Sequence, residues 1–166
     1  MSSMEGMNWM NFTRNPPQWN ADLIGLGTPP KPGRQYHGEA CVEMASGPGD
    51  AASYFITVGP FHEGTVTAYT KKITDPFTIE WVGHVLDIHG TPEQHENEAT
   101  GPGHYVASGD FDGDGVDELL VAFMGPAAEG RGVFYYKPVD LANGIFAKWK
   151  VADESAARIA VGYVSS

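Results

Sequence analysis

Apolar residues along this chain fall in short runs bounded by Gly and Pro. Two patterns recur among them. Y-F-I-T-V-G-P from Tyr54 and L-L-V-A-F-M-G-P from Leu119 are nearly continuous, as expected of strands covered on both faces. G-T-V-T-A-Y from Gly64 and G-V-F-Y-Y from Gly132 are shorter and rich in β-branched and aromatic residues. The pattern predicts strands over 36–44, 53–58, 65–70 and 77–86, and again over 104–109, 118–124, 132–137 and 146–152. With 21 glycines and 12 prolines, long helices are disfavoured.

The two sets of strands form a repeat. Trp19, Trp81 and Trp149 recur at intervals of 62 and 68 residues. Gly-Thr-Pro follows the first two, from Gly27 and from Gly90, and His37 or His104 then precedes an apolar stretch. Phe77 and Phe146 lie just before the second and third tryptophans. Four short antiparallel strands per repeat predict an all-β fold of β-propeller blades. The chain then holds about two and a half blades: 1–33 the end of one, 34–100 a complete blade, and 101–166 a further blade. Propellers close with typically about 4–8 blades, and an isolated pair leaves a wide apolar face bare. The expectation is a part of a larger propeller, completed by missing domains or by self-association.

Net charge changes the list of partners. The formal charge is −11, from 21 acidic and 10 basic residues, which disfavours nucleic acid and leaves cations and neutral ligands. No apolar run approaches the ~20 residues of a membrane span, and no signal peptide is recognisable. Cys41 is the only cysteine, so no internal disulfide forms, and a cytoplasmic location is slightly favoured. It lies in A-C-V-E-M and reads as a core residue rather than a nucleophile. Asn11-Phe12-Thr13 matches the glycosylation triplet, a pattern too common to count alone.

The densest chemistry is G-D-F-D-G-D-G-V-D-E at 109–118. Asp110, Asp112 and Asp114 alternate, so a tight turn brings their carboxylates together. Gly113 and Gly115 supply backbone angles that a β-carbon would penalise. Val116 would lend a carbonyl and Glu118 would close the shell. Such a set of hard oxygens suits Ca²⁺ in a structural role. The loop follows the EF-hand pattern over its first six positions, but position twelve is Val121, inside a strand, where an EF-hand needs a bidentate Glu. An Asp/Gly turn without metal is disfavoured because close carboxylates repel.

The six histidines are His37, His62, His84, His89, His95 and His104. His37 and His104 match in the repeat, at the mouth of each first strand. They either share a transition metal such as Zn²⁺, with Glu39 or His89 nearby, or are duplicated structural residues. H-E-N-E from His95 reads as a solvated loop, and His62 and His84 as surface or turn residues. The repeating tryptophans are assigned to blade packing rather than to stacking on sugars.

The residues 110–126 resemble the calcium-binding blades of the FG-GAP/VCBS propeller group, which includes integrin heads and fungal lectins. R-Q-Y-H-G-E-A from Arg34, V-G-P-F-H-E-G from Val58, the acidic loop and D-E-S-A-A-R-I-A from Asp153 resemble the fungal aldos-2-ulose (pyranosone) dehydratase family. That resemblance implies a propeller followed by cupin-like domains, bound divalent metals, and loss of water from aldos-2-uloses or 1,5-anhydrofructose. No cupin portion is expected in these 166 residues. The resemblance carries over to His37 and His104; together with their channel-facing placement in the repeat, it gives the metal to His37 and His104 and proton transfer to Glu39 or His89. The other reading is a non-catalytic, calcium-stabilised module that binds a glycan or a protein.

Overall fold

The computed structural model describes residues 6–27, 41–49, 53–59, 65–76, 78–89, 103–124 and 130–162. These form three antiparallel sheets. β1 (Met7–Arg14) and β2 (Pro17–Gly25) make a hairpin. β3 (Cys41–Ala45), β4 (Tyr54–Gly59), β5 (Thr65–Asp75) and β6 (Thr78–Ile88) follow as one sheet in sequence order. β7 (Gly103–Gly109), β8 (Glu118–Phe123), β9 (Gly132–Asp140) and β10 (Ile145–Ala152) repeat that arrangement. Each sheet is a meander in which neighbours in sequence are neighbours in space, as in a propeller blade.

The continuous apolar runs are the central strands. β4 is buried at all six positions, and β8 at five of its six. Alternate residues of β4 serve opposite interfaces. Tyr54, Ile56 and Val58, with Val66 and Ala68 of β5, pack on Val106, Leu119, Val121, Phe123, Phe134 and Tyr136 of the following sheet. Phe55 and Tyr69 turn the other way, onto Met7 and Ile24 of the hairpin. Each fully buried large side chain contributes roughly 1.5–3 kcal/mol by leaving water. Close approach is part of the fit: a β-carbon at Gly103 would overlap the Val58 side chain.

At one edge β7 packs against β3 and β4, and at the other β2 packs against β6. Like edges therefore meet, as in blades fanned about an axis. β5 and β9 run past their expected ends, to Asp75 and Asp140. Those extensions are mostly exposed hairpin residues, such as Lys72 and Thr74, that give no hydrophobic signal.

The tryptophans are not equivalent in packing. Trp81 packs at 4.8 Å on Phe55, facing the hairpin. Trp149 lies at 5.7 Å from Tyr135, on the face turned away from the preceding blade, and is 51% exposed. Trp19 pairs with Phe12 on the outer hairpin. The tryptophans thus recur along the sequence without presenting the same face of their sheets. One residue of slip reverses which side a strand residue presents.

Candidate functional site

The acidic loop joins β7 to β8. Gly113 and Gly115 have φ of +80° and +87°, the left-handed region that disfavours a side chain. Their angles turn backbone N–H groups inward. Asp110 accepts from Gly113 N at 2.7 Å and from Gly115 N at 3.1 Å, and Asp114 from Val116 N at 2.9 Å. Glu118 is fully buried as the first residue of β8, and its Oε2 accepts from Phe111 N at 2.9 Å. One oxygen from each of Asp110, Asp112, Asp114 and Glu118 lies within 4.8 Å of the others. Oxygens around one Ca²⁺ at about 2.3–2.6 Å span at most about 5 Å, so the four carboxylates fit that ion in type and spread. Val116 lies in the same loop, half-buried.

The structure supplies a cation that the sequence reading passed over. Lys137 of β9 reaches into the loop, contacting Asp112 and lying 2.8 Å from Asp114 Oδ2 and 3.2 Å from Glu118 Oε1. Its hydrogen bonds to Asp112 and Asp114 hold the ammonium well above the usual lysine range. In return the Lys137 ammonium, with the Val116 N–H, lowers the Asp114 carboxyl. Burial, with Glu118 nearby, pushes the Tyr135 phenol up.

The loop is also tied to the preceding blade. Asp117 N donates to Ser46 O at 2.8 Å, and Ser46 N to Asp117 Oδ2 at 2.7 Å. Tyr54 Oη donates to Asp117 O at 2.5 Å. Ser108, near the end of β7, donates to Met44 O at 3.0 Å and Glu43 Oε1 at 3.2 Å. The turn is therefore a joint between two blades as well as between two strands.

Of the histidine set, His37 and Glu39 lie outside the described residues, as do His62 and His95. His104 is exposed on β7, the strand nearest the axis in a propeller. His84 sits on β6 at 2.9 Å from Thr70 Oγ1. His89 is 7% exposed between the blades, stacked on Phe123 at 3.6 Å and edge-on to Phe134 at 4.8 Å. Its Nε2 lies 2.9 Å from Asp87 Oδ2, 3.2 Å from Lys148 Nζ and 3.3 Å from Tyr136 Oη. Lys148 also contacts Asp87, and Tyr136 donates to Asp87 at 3.0 Å. Burial alone would raise the Asp87 carboxyl, but His89 and Lys148 outweigh it and hold it well below the carboxylate range. Burial likewise keeps the Tyr136 phenol protonated.

Asp87, Tyr136 and Lys148 went unnoticed in the sequence because no short motif links them. Their only trace is alternation: Phe134 and Tyr136 share one face of β9, and Lys148 stands opposite Tyr136 in the ladder. Cys41 is half-buried beside the inter-blade core, and burial raises its thiol, as a packing role requires.

Comparison with known proteins agrees with this architecture. A family model described as the β-propeller domain of aldos-2-ulose dehydratase matches residues 1–72. The aldos-2-ulose dehydratase of Phanerodontia chrysosporium is 40% identical over 149 residues, which is 86% of this chain and 16% of that protein. The chain thus spans a small part of its relative. By fold, by the repeat and by identity over most of its length, this chain is similar to the β-propeller domain of aldos-2-ulose dehydratase.

Proposed function

We propose that this chain is the propeller portion of a lyase that removes water from oxidised sugars, aldos-2-uloses first among them. The 40% identity to an aldos-2-ulose dehydratase across 86% of the chain carries this reading. Dehydration beside a ketone needs a base for the acidified C–H and an acid for the departing hydroxyl. The hydroxyl leaves as water, and the new C=C is conjugated with the carbonyl. We assign a divalent metal to His37 and to His104, which β7 carries. When bound, such an ion polarises the sugar carbonyl. Proton transfer falls to Glu39 or His89. The seam packing of His89, with Nε2 facing Asp87, Lys148 and Tyr136, favours Glu39.

The 110–118 loop is assigned to a structural Ca²⁺, and with it the chain to the wider FG-GAP/VCBS group. A purely structural, ligand-binding propeller is the second reading, favoured by the joint that the loop makes between blades. Incubating the protein with 2-keto-glucose and following ultraviolet absorption separates the two. A conjugated enone that forms with the wild type and fails to form with His104→Ala supports the lyase. An active His104→Ala variant with unchanged zinc content would remove His104 from the site. No enone from the wild type favours the binding module.

A further inference from the structure

We propose that Lys137 is a tethered counter-cation of the acidic loop, which holds the loop together without metal and competes with a divalent ion for the same carboxylates. The inference rests on the reading of 110–118 as a calcium site. β9 presents Phe134 and Tyr136 to the preceding blade, and so turns Lys137 the opposite way, over the loop. Its ammonium touches three of the four carboxylates, those of Asp112, Asp114 and Glu118. The same three carboxylates belong to the cluster whose oxygens would ligate a metal. An ammonium and Ca²⁺ a few ångströms apart on one set of carboxylates repel each other, so the two compete for these oxygens.

The chain is built to let the lysine leave. Its side chain is 30% exposed, and a flexible four-carbon stem can carry the charge outward. Asp110 is not among the lysine's partners, and its orientation is fixed by Gly113 and Gly115 N–H groups. It is thus a preset ligand at which an incoming ion can begin to bind. Glu118 gains most from the exchange, because it is fully buried and its Oε1 faces the lysine while Phe111 N–H holds Oε2. A buried carboxylate needs a cation in either state. One positive charge against four negative ones leaves the loop attractive to a divalent ion, with weaker affinity than the same loop without the lysine.

Calcium titration calorimetry of the wild type, Lys137→Met and Lys137→Gln tests this, with melting temperature measured in EGTA and in calcium. Both variants are expected to bind Ca²⁺ at least about tenfold more tightly than the wild type. In EGTA both should melt below the wild type, and calcium should close or reverse the gap. The ¹³Cε signal of Lys137 in the wild type should also shift as calcium is added, a readout that needs no variant. Binding of equal strength in all three proteins, with the Lys137 signal unmoved, would overturn the competition and leave the calcium site standing. Absence of calcium binding in all three would overturn the calcium reading and the competition with it.

Discussion

Asp87 shows how a single side chain joins two blades. It lies next to last in β6, the outer strand of one sheet, yet its partners Tyr136 and Lys148 belong to the next. Removing its charge strands a lysine and a phenol that are partly or wholly out of water. Asp87→Asn should therefore destabilise the protein by about 1–3 kcal/mol, measured by urea unfolding. The pH dependence has a definite sign. A carboxyl held below its unfolded value stabilises the fold above that value, about 3.9, and the contribution fades as pH falls through the folded one. The stability gap between wild type and Asp87→Asn should be complete above about pH 5 and shrink below about pH 4. A gap that stays constant down to pH 2 would mean that Asp87 is not held as an anion. His89 was visible in the sequence as a histidine near Gly-Thr-Pro, but its surroundings were not. The residues around it come from Phe123, Phe134, Tyr136 and Lys148, distant in the chain and joined only by the fold.

At the scale of elements, the strands were largely legible and the joints between them were not. Apolar runs fixed β4 and β8 almost to the residue, since burial on both faces leaves an unbroken signal. The carboxylates of the loop were legible for a similar reason, because close sequence spacing and glycine angles are local. Their mutual repulsion does not by itself demand a metal, because Lys137, on β9, supplies one charge from outside the loop. Asp117 was likewise read past, though it sits between two residues assigned to the site. Its backbone and carboxylate bind Ser46, and its carbonyl receives the Tyr54 hydroxyl. Tyr54→Phe keeps the ring and removes only that donor, so a loss of about 1–2 kcal/mol is expected. Hydrogen exchange should report it locally, with amides of Asp117 and Ser46 exchanging faster while those of β9 hardly change. Uniform acceleration across both sheets would instead show that Tyr54 acts through the core.

The whole chain leaves apolar residues bare at both ends of the fan. Phe12 and Trp19 are exposed on the hairpin, and Tyr135's neighbour Trp149, with Val139 and Val151, on the far sheet. Sedimentation of the 166-residue chain should therefore show concentration-dependent association, and a strictly monomeric species at high concentration would refute it. The acidic loop belongs to this scale too, because Asp117 and Ser108 tie its two ends to the preceding sheet. The Ca²⁺ proposed there would stabilise a seam rather than one turn. For a ligand present at about one hundred times its dissociation constant the gain is about 2.7 kcal/mol, felt by both sheets. Chelating calcium should lower the single melting transition and speed amide exchange in β3 as well as β8. Any dehydratase activity should fall in step with folded protein, since His104 lies on the axial strand and outside the acidic cluster. Activity lost under selective chelation at an unchanged melting temperature would move the loop from scaffold to catalytic machinery.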